Sequence, residues 1–236
     1  LKMTNKKTDT TDNKTHKYSP SSIGLLERCP KCFYLQMNCK VRRPSGPFPS
    51  LPSGMDYKLK PYFDGYRSQG KRPPELSELE ESIGLFSDEK LMKEWRNNWK
   101  GVSWEDSKGN TFRGAVDEIL INNSNDKLIV LDYKTRGFKL KENTAGYYQN
   151  QLDIYNLLLR RNGFETEDYS FLLFYMPEEI QEEGIVKFNT QLVKMDVNVK
   201  SADKLFRKAR KVLRGEMPES AEDCGFCEWA EKMKEF

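Results

Sequence analysis

Gly114-Ala115-Val116-Asp117-Glu118-Ile119-Leu120-Ile121 and Leu128-Ile129-Val130-Leu131-Asp132-Tyr133-Lys134 are two apolar runs joined by the turn-forming residues 122–126. Runs rich in Val, Ile and Leu and bounded by Asn, Asp and Ser read as paired strands. A turn centred between Ser124 and Asn125 makes 117 and 132 equidistant from it, so Asp117 is expected opposite Asp132. Residues two apart on a strand share a face, which brings Lys134 to the two acids and turns the Tyr133 side chain away. Both aspartates interrupt otherwise apolar sequence, and carboxylates opposed in such a place repel each other unless a cation lies between them. Oxygen ligands for a hard divalent ion, with an ammonium beside them to position water or phosphate, are the chemistry this pattern offers. A D-x-K pair alone is also what an ordinary cross-strand ion pair looks like, worth about 0–1 kcal/mol.

The same alternation of apolar residues with turn residues predicts further strands over 102–105, 169–175 and 185–195, with the first of the two quoted runs extended to 111–121. Between the third and fourth strands, Tyr148, Leu152, Tyr155 and Leu159 recur every three or four positions and predict a helix over 142–161. Strand-helix-strand order indicates an α/β fold. Gln151 and Tyr155 stand one turn apart on that helix, where an amide and a phenol suit a phosphate or a base, or else a helix flank and a core aromatic. Serines 19, 21 and 22 cap a short helix that Cys29-Pro30 ends or bends, residues 44–52 with four prolines form a loop, and a helix follows over 54–66. A last helix over 199–214 stops at Gly215. Gly65 to Arg72 nearly spells a phosphate-binding loop, but Arg72 replaces the required hydroxyl and Pro73-Pro74 follows, which excludes it.

Composition narrows the function. The 236 residues suit one domain, and 39 basic against 36 acidic residues give a net charge of +3, too small for a globally basic nucleic-acid coat. Mean hydropathy is -0.80, yet 12% of residues are aromatic, too many for a disordered chain. His16 is the sole histidine and falls in a polar tail, residues 1–17, expected to be disordered. Ser-His-Asp, Cys-His and His-zinc chemistries are thereby disfavoured. The longest apolar stretch, 171–176, is far below the roughly 20 residues that span a bilayer, and no signal peptide is evident. A cytoplasmic location is expected, where cysteines serve as thiols or metal ligands rather than disulfides.

Cys29-x-x-Cys32 and Cys224-x-x-Cys227 form two pairs suited to tetrahedral zinc or an iron-sulfur cluster, while Cys39 reads as a small buried hydrophobe. Lys204, Arg207, Lys208, Arg210, Lys211 and Arg214 crowd the last helix, as a phosphate-tracking stripe or a solvated face. Trp95, Trp99 and Trp104 offer stacking surfaces for unpaired bases, with core packing the expectation for at least one.

Tyr18-Ser19-Pro20-Ser21-Ser22 leading to Cys29-Pro30, then Gly114-x-x-Asp117, Asp132-Tyr133-Lys134 and Gln151-x-x-x-Tyr155, in this order, resemble the PD-(D/E)XK nuclease superfamily and its RecB-type branch, which includes the CRISPR adaptation nucleases. The resemblance covers nearly everything after the tail. It implies a restriction-endonuclease-like α/β domain over 18–236, a mixed central sheet flanked by helices, with its two ends joined by a four-cysteine metal site. It further implies a Mg²⁺- or Mn²⁺-dependent deoxyribonuclease, of exonuclease type. Asp117, Asp132 and the Tyr133 carbonyl resemble its metal ligands, Lys134 the residue that orients the attacking water, and Gln151 and Tyr155 the substrate-side motif. Relatives often carry a histidine before the hairpin as a further ligand; Asp56 is the candidate replacement here, an exposed helix acid being the alternative. Related nucleases close the fold with a [4Fe-4S] cluster on one early and three late cysteines, whereas Cys29, Cys32, Cys224 and Cys227 split two and two, which keeps Zn²⁺ open. The implied partner is DNA, single-stranded or with free ends, within a recombination, repair or CRISPR complex, and no membrane. The rival reading is a catalytically silent nucleic-acid-binding or assembly subunit on the same fold.

Overall fold

The structure is a computed structural model that describes residues 14–235. Strand β1 (Lys17–Tyr18) leads into helix α1 (Pro20–Arg28), whose cap is a reciprocal pair. The Ser22 N–H donates to Ser19 Oγ at 3.3 Å and the Ser19 N–H to Ser22 Oγ at 2.9 Å. Cys29 is extended and ends α1, while Pro30 opens α2 (Pro30–Asn38), so one Cys-Pro step closes one helix and starts the next. Then come α3 (Ser50–Arg67), β2 (Ile83–Leu85), α4 (Glu89–Trp95), β3 (Val102–Glu105), β4 (Thr111–Gly114), β5 (Glu118–Asn122) and β6 (Lys127–Thr135). The chain finishes with α5 (Gln149–Arg161), β7 (Tyr169–Ile180), β8 (Val186–Asp196), α6 (Val199–Arg214) and α7 (Gly225–Lys232).

A mixed five-stranded sheet of order β2-β5-β6-β7-β8 forms the centre. Within this sheet β6 and β7 pair in parallel while the other described pairs are antiparallel, and α5 makes the crossover between them. Alternation along β6 sorts the core into two layers. Leu128 and Val130 join α1, α5 and α6 on one face, whereas Ile129, Leu131 and Tyr133 meet Leu59 and Phe63 of α3 on the other. Helix α5 is buried from Leu152 to Leu159, so it is covered on all sides and anchors the first layer. Among the described residues no helix is long and apolar enough to cross a membrane.

Two expectations are corrected. The predicted strand 111–121 is two strands in two sheets: β4 belongs to a three-stranded sheet of order β1-β4-β3, β5 to the central one, and residues 115–117 cross between them. The break has a steric cause, because a Cβ on Gly114 would lie 2.5 Å from the Tyr155 ring and one on Gly101 2.4 Å from the Gly114 carbonyl oxygen. The expected tail is also shorter. His16 is buried, donates its N–H to Asn110 Oδ1 at 3.1 Å and accepts from the Thr111 N–H at 3.0 Å, and Lys17 pairs with Thr111. Edge amides of β4 need partners, and this segment supplies them. Residues 1–13 of that tail lie outside the described residues.

A buried ionic cluster ties the helices to the break. Glu118 is fully buried, paired with Arg67 through Oε1 and with Arg96 through Oε2 at 2.6 Å. Tyr133 Oη also donates to Oε2 at 3.1 Å. Asp64 joins both arginines, and Arg96 Nε donates to the Asp117 carbonyl at 2.8 Å. Removing the charge at the centre strands two guanidiniums, which costs about 3–5 kcal/mol. Glu118→Gln is therefore expected to lower the urea unfolding free energy by roughly that amount, measured by circular dichroism.

Candidate active site

The bend at residues 115–117 and the end of β6 converge as the turn arithmetic requires. Observed pairs are Glu118 with Leu131, Ile119 with Val130 and Asn122 with Lys127, so Asp117 falls next to Asp132 one step beyond the ladder. The Tyr133 N–H donates to Asp117 Oδ2 at 3.1 Å and fixes that carboxylate on the β6 backbone. Asp132 is 1% exposed. Beyond its ion pair with Lys134, neither of its oxygens has a hydrogen-bond donor among the described residues. The Tyr133 side chain points to the opposite layer, against Phe63, as alternation predicts.

Electrostatics follows from this crowding. Burial and then the Asp132 carboxylate push the Asp117 carboxyl up to about 8, against the pull of Lys134 and Lys60. Burial acts to lower the Lys134 ammonium, but Asp132 and Asp117 outweigh it and hold it above the usual lysine range. Lys134 also lies 4.8 Å from the centre of the Tyr148 ring.

Asp56 reaches the site only indirectly. Lys60, one turn along α3, sits 2.7 Å from Asp56 Oδ2 and 3.6 Å from Asp117 Oδ1, so an ammonium bridges the two acids. The resemblance points to Asp56 but not to Lys60, although their i, i+4 spacing is visible in the sequence. Glu118, Arg67 and Arg96 were missed because their pairing joins residues up to 51 positions apart. Gln151 Nε2 donates to Tyr155 Oη at 2.7 Å. Burial and then the charges of Asp132 and Asp117 raise the Tyr155 phenol far above its usual range.

The four cysteines converge at the other end of α1. Cys29 and Cys227 Sγ are 3.8 Å apart, Cys32 and Cys224 3.7 Å, Cys32 and Cys227 3.5 Å, and all four lie within 4.8 Å of one another. Arg43 Nη2 donates to Cys224 Sγ at 3.2 Å. Burial opposes ionisation of Cys29, yet the Cys32 and Ala221 backbone groups and the neighbouring thiols bring it down to about 6. Cys39 is exposed and apart from this set, so the expectation that it is buried is corrected: it follows the end of α2 at the surface.

The tryptophans separate cleanly. Trp95 stacks on Phe86 in the core, Trp104 lies under the Arg161 guanidinium at 3.8 Å, and Trp99 is 82% exposed. On α6, Arg210 turns inward to Asp106 at 3.1 Å and Arg207 pairs with Asp203, while Lys204, Lys208, Lys211 and Arg214 remain exposed.

A family profile described as the PD-(D/E)XK nuclease superfamily matches residues 64–231, and the chain belongs to that superfamily of hydrolytic, divalent-metal-using nucleases. No curated protein matches the chain. The matched span carries Asp117, Asp132, Lys134, Gln151 and Tyr155 and begins after Asp56.

An aspartate whose folded pKa is raised favours the folded state below its unfolded value near 3.9, and that contribution is lost as pH rises toward about 8. In divalent-free buffer, Asp117→Asn should therefore raise the melting temperature more at pH 8 than at pH 5, as read by differential scanning fluorimetry.

Proposed function

We propose that the protein is a divalent-metal-dependent deoxyribonuclease of the RecB-type branch, a single nuclease domain that hydrolyses DNA phosphodiesters from free ends. The observation that carries this reading is a buried carboxylate, Asp132, whose Oδ1 has no partner among the described residues and whose Oδ2 meets only the ammonium of Lys134, set beside the Asp117 carboxylate. Such a donor set fits Mg²⁺ or Mn²⁺: hard oxygen ligands whose mutual repulsion a cation removes. Asp117, Asp132 and the Tyr133 carbonyl would hold the ion, with Asp56 behind Lys60 as the further acid. When bound, the ion supplies Lewis acidity and a water acidic enough to attack at neutral pH.

The chain's own groups divide the remaining work. Lys134, kept charged by its neighbours, positions the attacking water and offsets charge developing on the phosphate oxygens. Tyr155 accepts a hydrogen bond from Gln151 and stays protonated, so its hydroxyl hydrogen is free for a phosphate oxygen of the strand. A specific observation favours the silent-subunit rival: Lys60 and Lys134 already neutralise Asp117 and Asp132 without an ion. End-labelled single- and double-stranded DNA incubated with Mg²⁺, Mn²⁺ or chelator separates the two. Metal-dependent cleavage that falls at least about 100-fold in Lys134→Ala supports the nuclease; a folded parent that binds DNA and never cuts supports the rival.

We propose zinc for the cysteine centre in preference to the iron-sulfur cluster. Four thiolates about 2.3 Å from one tetrahedral zinc stand about 3.8 Å apart. Three separations of 3.5, 3.7 and 3.8 Å, with all four sulfurs within 4.8 Å, leave room for one ion, whereas a cluster interposes iron and sulfide and spreads its thiolates further. Elemental analysis should find about one zinc per chain. Cys227→Ser should lose zinc and soluble protein together, and a brown, iron-containing parent overturns the assignment.

A further inference from the structure

Beside the acids a groove of about 370 Å³ opens between the start of α1, the end of β4 and the loop before β3. Tyr155 and Gln151 form one wall, Ser19 and Ser21 another, and Lys100 and Arg113 the third. Gly114 and Ala115 also line it, and the Tyr155 ring packs so closely on Gly114 that a Cβ there would lie 2.5 Å from it, so the absent side chain is what lets the phenol reach the groove. Neither Lys100 nor Arg113 is paired with a carboxylate among the described residues, and Arg113 donates instead to the Trp99 carbonyl. Two cations without a carboxylate partner, two hydroxyls and a protonated phenol lining one groove suit a phosphodiester.

Trp99 lies in the chain between Asn98 and Lys100, which line the groove, and exposes 82% of its surface. An indole left in water while Trp95 is buried calls for a ligand with an apolar face. Its loop is held rather than loose. Asn97 Oδ1 accepts from the Trp99 N–H at 2.8 Å and the Lys100 N–H at 3.0 Å. Gly101 takes a φ of +61° against Gly114, and Arg96, immediately before the loop, is bound to the Asp117 carbonyl. The stacking platform is thus fixed to the same bend that carries Asp117.

We infer that this groove is the track for one unpaired DNA strand. Lys100, Arg113, Ser19 and Ser21 hold a backbone phosphate next to the acids, and Trp99 stacks on an adjacent base. The inference rests on the nuclease reading for what happens to the strand, and on the groove alone for its binding. A duplex presents a base face only at its ends, so an interior tract of paired DNA cannot use Trp99. This distinguishes the strand form that the site accepts.

The test is fluorescence anisotropy with a labelled oligothymidylate and, separately, a duplex closed at both ends by hairpin loops, using the full chain in the Lys134→Ala background with Mg²⁺. Trp99→Ala should weaken oligothymidylate binding about 5- to 150-fold, the loss of one base stack, and leave the closed duplex within about twofold. Lys100→Ala and Arg113→Ala should each reduce the slope of log affinity against log salt by about one. Unchanged oligothymidylate binding in Trp99→Ala overturns the inference, as does an equal loss for both DNA forms. A parent that cuts DNA while Trp99→Ala binds as before sinks the strand track and leaves the nuclease. Trp99-dependent binding by a parent that never cuts supports the track and removes the nuclease.

Discussion

The carboxylate of Glu118, buried and held by Arg67 and Arg96, is the interaction on which the site depends. A lone carboxylate in that position would be costly, and two arginines from different helices meet the cost only if α3 and α4 dock at one depth. The cluster therefore joins α3, the loop after α4, β5 and, through Tyr133, β6. Arg96 extends it by one hydrogen bond to the Asp117 carbonyl, so the backbone of the first acid is fixed by a charge network its own carboxylate does not enter. The bend between the two sheets is thereby held at its backbone by Arg96 and at its carboxylate by the Tyr133 N–H.

Glu118 has two guanidiniums, whereas Asp117 and Asp132 have one ammonium each, Lys60 and Lys134. Asp132 Oδ1 is left without a partner among the described residues, and burial with the neighbouring Asp132 charge pushes Asp117 toward its neutral form. Crowded acids that cost stability are found more often at binding centres than in structural cores, and the proposed cation would remove that cost. The protein tolerates this because the strain is local and the layers on either side, α5 below and α3 above, are well-packed apolar cores.

The cysteine centre answers a different physical problem. Cys29 and Cys32 lie nearly two hundred residues from their partners, and closing so long a loop is opposed by chain entropy. Thiolates sharing a metal would make that closure a bonded one, with an apparent contribution of about 10–16 kcal/mol for a structural zinc. Since α1 begins at the groove and ends at the cysteines, the centre also fixes the helix whose serines line the groove.

The residues of the local motifs were legible in the sequence because their relations are local. Turn chemistry at 122–126 set the register that brings Asp117 to Asp132, alternation put Lys134 with Asp132 and Tyr133 away, and helical spacing joined Gln151 to Tyr155. Two Cys-x-x-Cys pairs announced a four-ligand site. Contacts between distant segments decided the rest. The break of 111–121 into two sheets depends on Tyr155 and Gly101 closing on Gly114, and the burial of His16 on an edge it pairs with 94 residues later. The choice of Trp99 over Trp95 and Trp104 as the exposed indole depends on which rings the core happens to enclose. Periodicity and turn preference act over a few residues and are written in the chain itself, whereas charge partners and steric limits exist only once remote segments meet.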